Sequence, residues 1–355
     1  MTKKASMDIE NTILHKSKET RSLVCFPTGS DLMDIQVGGG VTKGYPVGNF
    51  INIIGDTSTG KTFLACEIVA ASYYKYKEKL KWVYDDCESG FTFDTKKLYG
   101  VEIMPLNKDK RIKSKTVGEL YCNIRLFLEA LKEDELGIYI VDSLDSLASD
   151  EEIERANIRF ESFKKNKKFD KKSYGMEKAS YLSKEFFKQL AWMAEDTCAL
   201  VIIISQIRHN VDPMSFEKFT RSGGKAMDFY AHTALWLAKV EDIIRKGIPV
   251  GAVTKAKNTK SKTPRPRRSA FVKLLFDYGI DNIQSNIDYL YDFLTPRGKL
   301  IKNPSGEWDG ENMSRLNLIK YIEENKLEKE LKKRTAEKWE AIEESVKSKR
   351  TPKYQ

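Results

Sequence analysis

The chain is predicted to be an α/β protein with a mostly parallel central sheet, an antiparallel extension and a small C-terminal unit. Three observations carry that expectation. Short apolar runs alternate with longer amphipathic ones from about Asn49 to Asp242, three later apolar runs follow with no helix between them, and a glycine-rich turn separates the first strand from the first helix. The 355 residues are 41% hydrophobic, enough to bury a sizeable core in one large or two modest domains.

Asn49-Phe-Ile-Asn-Ile-Ile54 reads as a buried strand and Lys61 to Lys75 as the helix packed on it. Leu80 to Tyr84 is a second strand, Thr116 to Lys132 a helix, and Gly137 to Val141 a third strand. Lys178 to Glu195 places Tyr181, Leu182, Phe186, Leu190 and Met193 at helical spacing, and Ala199 to Ser205 is a β-branched fourth strand. Strands alternating with helices pair in parallel through right-handed crossovers. Ala234 to Ala238, Gly251 to Thr254 and Phe271 to Phe276 extend the sheet in antiparallel fashion. A heavily charged helix is expected over about Ser314 to Lys349. The expected organisation is a short N-terminal segment, 1–27, then a core, 28–285, and a C-terminal unit, 286–355.

Sixty-one Lys and Arg face 51 Asp and Glu, a formal charge of +10 that points weakly to an anionic partner. Apolar stretches such as Ala199 to Ile204 fall far short of the about 20 residues a membrane helix needs, so no membrane association is expected. Met1-Thr-Lys-Lys-Ala-Ser-Met7 has no apolar signal core, and the five cysteines form no C-x-x-C pair beside only three His. A cytoplasmic protein with reduced thiols and no zinc site is expected.

Gly55-Asp56-Thr57-Ser58-Thr59-Gly60-Lys61-Thr62 fits the eight-position P-loop between a strand and a helix. Glycines let the backbone curl so that successive N–H groups surround phosphates at a helix N-terminus. Lys61 reaches the terminal phosphates and the Thr62 hydroxyl joins a Mg²⁺ shell. Asp142, closing the third strand, supplies the acid that organises the metal, though such a residue also suits a helix cap. The second strand ends in Asp85-Asp86-Cys87-Glu88 at the sheet edge where α/β folds place ligands. Glu88 is the first choice for polarising water and Asp86 the second; spacing does not separate them, and a solvated loop is the bland alternative.

Three segments interrupt the order. Residues 158–173 carry Lys164, Lys165, Lys167, Lys168, Lys171 and Lys172 with Phe163 and Phe169 interleaved; 209–221 is polar and aromatic and precedes Gly223-Gly224; 255–268 carries seven basic residues and no acid. Charge runs are usually solvated surfaces. Loops that combine cations with aromatic rings also suit a single-stranded nucleic acid, whose phosphates they track and whose bases they stack on.

Over about residues 24 to 280 the chain resembles the RecA-type recombinase family. Thr28-Gly-Ser-Asp-Leu-Met-Asp34 with Gly38-Gly-Gly40 is similar to the family's lead-in, Asp86-Cys-Glu88 to its acidic motif, and Val141-Asp-Ser143 to its second nucleotide motif. Ile204-Ser-Gln206-Ile-Arg208, Ser222-Gly-Gly-Lys-Ala-Met-Asp-Phe-Tyr-Ala231 and Val253-Thr-Lys255-Ala-Lys257 follow in the family's order. The resemblance implies a RecA-like P-loop NTPase core in which Glu88 is the catalytic acid and Gln206 senses the γ-phosphate and relays to DNA. It implies that Lys255 and Lys257 reach the ATP of an adjacent subunit, and that 158–173 and 209–222 are DNA-binding loops. Lys164, Lys165, Lys167, Lys168, Arg208, Phe216, Phe219, Arg221, Gly223 and Gly224 would then contact DNA.

The implied protein is a DNA-stimulated ATPase that forms a helical filament or a ring, coats single-stranded DNA and pairs it with a duplex in recombination and repair. Single-strand-binding or mediator proteins are its implied partners. The lysine-rich first loop and the basic ending, Lys347-Ser-Lys-Arg-Thr-Pro-Lys-Tyr-Gln355, depart from the bacterial pattern and resemble a bacteriophage-encoded member acting in host cytoplasm or nucleoid. A RecA-fold hexameric helicase and a non-catalytic DNA-binding mediator share the core, and a small-molecule P-loop kinase shares the phosphate loop but leaves the basic segments idle.

Overall fold

The computed structural model describes residues 24–38, 44–105, 107–165, 177–209, 219–262, 267–351 and 353. Its main sheet has eight strands in the order β12-β11-β10-β9-β3-β6-β5-β4. In chain order these are β3 (Asn49–Gly55), β4 (Leu80–Asp85), β5 (Leu136–Val141), β6 (Ala199–Gln206), β9 (Thr233–Arg245), β10 (Ile248–Ser261), β11 (Ser269–Leu275) and β12 (Gly279–Ile280). Short pairs lie outside it: β1 (Cys25–Phe26) with β2 (Tyr45–Pro46), β7 (Arg208–His209) with β8 (Phe219–Thr220), and β13 (Ser305–Trp308) with β14 (Glu311–Ser314). The helices are α1 (Asp31–Gly38), α2 (Lys61–Tyr76), α3 (Thr95–Tyr99), α4 (Val117–Ala130), α5 (Asp150–Lys164), α6 (Glu177–Tyr181), α7 (Phe187–Glu195), α8 (Gly224–Tyr230), α9 (Asn282–Leu290), α10 (Arg315–Glu324) and α11 (Glu328–Ser345). A π-helical stretch, Leu182–Phe186, joins α6 to α7.

β3 pairs in parallel with both β6 and β9, and β5 with β4 and β6. Three of these pairings, β3 with β6, β6 with β5 and β5 with β4, deliver the C-terminal ends of β3, β4, β5 and β6 to one edge, where the phosphate loop and the candidate acids emerge. The pleat sends alternate residues to two cores. Ile51, Ile53, Ile138, Ile140, Leu200 and Ile202 pack with Leu64 and Ile68 of α2. Phe50, Tyr139, Val141, Val201 and Ile203 pack with Leu120 and Ile124 of α4 and with Phe187 and Leu190 of α7. Burial on both faces explains the near-continuous apolar runs of these strands.

Ala234 to Ala238, expected to open the antiparallel extension, instead pairs in parallel with β3; the sheet turns antiparallel beyond β9, and β9 and β10 run well past the apolar segments that announced them. The charged C-terminal stretch is two helices rather than one. The break falls at Asn325 to Leu327, where Lys326 adopts φ +54° and Leu327 packs on a third core of Ile287, Phe293, Trp308, Leu318, Ile322 and Leu331. Burying Leu327 requires the chain to turn, and the charge pattern hides that single apolar contact. A buried ion cluster sits beside this core: the Asp288 carboxylate meets Lys273 at 2.6 Å and Arg315 at 2.8 Å.

Another correction concerns 158–173. Residues up to Lys164 belong to α5, which a capping box starts: Ser149 Oγ accepts from Glu152 N, and the Glu152 carboxylate accepts from Ser149 N. None of its residues is buried: Ile153, Ala156, Phe160 and Phe163 share one face at helical spacing, yet Ile153, Phe160 and Phe163 stay exposed, so the stripe covers no core. No helix among the described residues is long and apolar enough to cross a membrane.

Candidate functional site

β3 ends at Gly55 and α2 begins at Lys61, so residues 56 to 60 form the turn between them. Two positions need glycine for steric reasons. A Cβ at Gly55 would lie 2.4 Å from Thr59 Oγ1, and one at Gly60, where φ is +90°, would lie 2.2 Å from Leu274 Cδ1. Asp56 closes the turn, its carboxylate accepting from Thr57 N at 2.7 Å and its carbonyl from Thr59 Oγ1 at 2.8 Å. Ser58 takes a positive φ at its exposed apex. The Lys61 ammonium folds back to donate to the Asp56 carbonyl at 2.7 Å. Burial pushes the Lys61 pKa down, against the pull of Asp142, Glu88, Asp56 and Asp145.

The neighbouring strands add the acids. Asp142 Oδ2 accepts from Thr62 Oγ1 at 2.8 Å and from the buried Tyr84 hydroxyl at 2.5 Å. Burial raises the Asp142 pKa; the hydrogen bonds from Tyr84 and Thr62 oppose it. Glu88 N donates to the Asp142 carbonyl at 3.0 Å, and Glu88 Oε1 accepts from Ser143 Oγ and, at 2.7 Å, from Gln206 Nε2. Lys61, Thr62, Asp142, Glu88 and Gln206 thus come together at one sheet edge.

Asp86 does not share that position. It is buried, pairs with Arg111 at 3.3 Å and accepts from Gly90 N at 3.1 Å, so it braces the loop. Asp85 is equally enclosed by Ser114 and Tyr139. A cavity of about 400 Å³ opens beside the phosphate loop, lined by Gly60 to Phe63 together with Phe93, Leu274 and Phe276.

The donor set fits the groups that a P-loop takes. A hydroxyl and a carboxylate, Thr62 and Asp142, are hard oxygen ligands suited to Mg²⁺, which ordinarily keeps several waters and few protein ligands. A partly desolvated ammonium at a helix N-terminus suits a phosphate.

Lys255 and Lys257 lie elsewhere. On β10 the buried Thr254 and Ala256 face the phosphate-loop side: Thr254 Oγ1 donates to the Thr59 carbonyl at 3.3 Å and Ala256 joins the α2 core. Alternation turns Lys255 and Lys257 to the opposite face, Lys255 over the Phe271 ring at 5.4 Å and Lys257 exposed. Neither reaches the nucleotide edge of its own chain.

Of the segments expected to meet DNA, the second is closed at its root by β7 and β8, with Arg208 opposite Thr220 and His209 opposite Phe219. Phe219 is 47% exposed. Arg221 is a correction: its guanidinium is buried, pairs with Asp228 at 2.6 Å and lies over Trp236, so it braces the segment from below. Gly223, φ +88°, and Gly224 lead into α8. Lys164 is exposed at the end of α5, pairing with Glu161 and lying over the Phe160 ring, and Lys165 follows as the C-cap. Lys167, Lys168 and Phe216 lie outside the described residues. Sequence reasoning missed Tyr84, Ser143 and Asp145. The last two stand within three residues of Asp142, a signal that was readable, whereas nothing in a strand pattern marks Tyr84.

This fold and phosphate loop define a P-loop α/β protein. The family model of the RecA N-terminal domain matches residues 8–281. Protein RecA of Mesoplasma florum is 28% identical over 307 residues, covering 83% of this chain and 84% of that one. Protein RecA of Mycoplasma mycoides subsp. mycoides is 29% identical over 273 residues, covering 76% and 70%. The crystal structure of the RadB recombinase aligns with a TM-score of 0.48 at 18% identity, over 73% of this chain and 99% of that chain. The chain belongs to the RecA family of recombinases.

Proposed function

We propose that the protein is an ATP-dependent DNA recombinase that assembles on single-stranded DNA, hydrolyses ATP between subunits and pairs the coated strand with a homologous duplex. In this reading residues 28–285 are the ATPase core, with 286–355 a C-terminal unit and 1–27 an oligomerisation segment. One observation carries it: the hydrogen bond from Gln206, at the root of the second loop, to Glu88 at the nucleotide edge. It joins a hydrolytic acid directly to a segment suited to DNA.

The phosphate-loop N–H groups and Lys61 bind the phosphates, and Phe93, Leu274 and Phe276 offer an apolar wall to the base. Thr62 and Asp142 would hold Mg²⁺, which when bound neutralises charge on the phosphates. Glu88 takes a proton from the attacking water, and Gln206 and Ser143 hold its carboxylate in place. The outward face of Lys255 and Lys257 supports a composite site in which their ammonium groups serve a neighbouring copy's nucleotide. Hydrolysis then depends on assembly.

The test is ATP turnover by the full chain with and without oligothymidine, with negative-stain imaging of the same sample. Stimulation by DNA together with filaments is expected, and DNA affinity should fall with salt by a log–log slope of about −0.7 per contacted phosphate. Turnover indifferent to single-stranded DNA would overturn the reading.

A further inference from the structure

The turn at 144–147, just past the metal-organising acid, gathers the roots of both loops. Asp145 Oδ2 accepts from Gln206 N at 2.8 Å, where the chain leaves β6 for the second loop. Asp145 Oδ1 accepts from Ser222 Oγ at 2.7 Å, where the chain returns ahead of Gly223. From the start of the helix that follows the first loop, Lys178 Nζ donates to the carbonyls of Leu144 at 3.0 Å, Asp145 at 3.4 Å and Leu147 at 2.5 Å. Three ammonium donations to its carbonyls hold the turn, so the Asp145 carboxylate is an anchored bridge between the two ends of the second loop.

The bridge borders a cavity of about 720 Å³ lined also by Glu152, Lys178, Gly223, Gly224 and Lys225. A strand phosphate entering there would seek the same hydroxyl that Asp145 now holds. Two anions on one donor repel each other, so the carboxylate and the phosphate compete. Because the other oxygen of Asp145 holds Gln206 N, and Gln206 Nε2 holds Glu88, displacing Asp145 frees Gln206 to reset its contact with the hydrolytic acid.

We propose that Asp145 is a positioning residue, an acidic latch that stands in for a strand phosphate at Ser222 and ties the second loop to the Glu88–Gln206 pair until DNA displaces it. The idea rests on the proposed function and deepens it by naming how the loop and the nucleotide site communicate. The direction of the effect separates a latch from a prop. A structural prop, once removed, weakens DNA binding; a competing anion, once removed, strengthens it in the absence of nucleotide.

The experiment measures fluorescence anisotropy of labelled oligothymidine on the full chain, with no nucleotide and with a slowly hydrolysed ATP analogue. Asp145→Ala is expected to tighten nucleotide-free binding about tenfold, the scale of one hydrogen bond to a charged group, and to shrink the ratio of affinities with and without nucleotide by the same factor. Asp145→Asn keeps the shape and removes the charge, so it should move the same way should the alanine variant fold poorly. Asp145→Ala combined with Ser222→Ala should give no more loss of coupling than Asp145→Ala alone, because both act through one bridge. Unchanged or weaker nucleotide-free binding in both Asp145 variants, with the wild-type affinity ratio intact, overturns the latch alone. A wild-type protein whose DNA affinity ignores nucleotide overturns the latch and the proposed function together.

Discussion

Around Asp142 the polar groups, half-buried like Thr62 or exposed like Glu88 and Gln206, are satisfied by partners far along the chain, whereas on α5 they are exposed and satisfied within a turn or two. Thr62, Tyr84 and Asp142 meet across 80 and 58 residues, and Gln206 reaches Glu88 across 118. On α5, Lys164 pairs with Glu161 three residues away and Ser149 caps Glu152. The difference teaches where each function can tolerate change. Chemistry needs atoms held within a fraction of an ångström, so it is built on strand ends locked by the core. A surface that follows a flexible polymer needs charge and rings presented to solvent, and local helix physics suffices.

The largest expected effect sharpens that contrast by testing whether the chemistry is complete within one chain. Lys255→Ala should lower DNA-stimulated ATP turnover by about 10³–10⁵-fold, the usual worth of a cation delivered across an interface. Mixing it with Glu88→Gln should recover part of the activity, because some interfaces then combine an intact acid with an intact lysine. No recovery on mixing would place both residues in one chain's site and contradict the outward face of β10.

Next comes the pair of acids that spacing alone leaves open. Glu88→Gln should cut turnover by about 10²–10⁴-fold while nucleotide still binds, measured by single-turnover hydrolysis beside a nucleotide-binding assay. Asp86→Asn should act on the fold instead. Breaking its buried pair with Arg111 costs about 3–5 kcal/mol, read as a drop in thermal midpoint. Equal thermal midpoints for Asp86→Asn and wild type would remove the distinction between them.

A smaller effect concerns the helix that starts at the phosphate loop. Glu67 on α2 accepts from Ile280 N at 2.7 Å, and burial raises its pKa to about 7 against that hydrogen bond, from an ordinary 4.5. The folded state therefore binds the proton more tightly than the unfolded chain. Its contribution is fully present below about pH 4.5 and is lost as the pH rises through about 7. Glu67→Gln should flatten this slope and gain about 2–3 kcal/mol over wild type at pH 8, measured by urea unfolding across pH. An unaltered slope would mean that Glu67 stays ionised in its pocket.

Much of the nucleotide side was legible before any coordinates. The four parallel strands announce themselves because burial on both faces makes their sequences continuously apolar, and the phosphate loop and Asp142 follow from strand ends. The division of labour between Asp86 and Glu88 was not legible, since it depends on Arg111, 25 residues away, entering the core. The inward turn of Arg221 depends likewise on Asp228 and Trp236, while composition alone suggests an outward cation. α5 escaped notice for the opposite reason. Its short stripe of Ile153, Ala156, Phe160 and Phe163 is set among charges and covers no core, and its capping box, Ser149 and Glu152, marks its start.

That capping box offers the smallest and most local test. Ser149→Ala removes the acceptor for Glu152 N and should cost about 1 kcal/mol of helix stability. Because no residue of α5 is buried, the loss should stay in the helix, leaving the global thermal midpoint within about 1–2 °C while hydrogen exchange along 150–164 accelerates about fivefold. A helix held by the core would share the loss with the whole domain, and a full cooperative shift in midpoint would show that α5 is docked. If the helix instead frays alone, the end bearing Lys164 and Lys165 loses its fixed direction, and affinity for oligothymidine should fall while ATP turnover without DNA stays unchanged. The two regions would then be separable by a single hydroxyl.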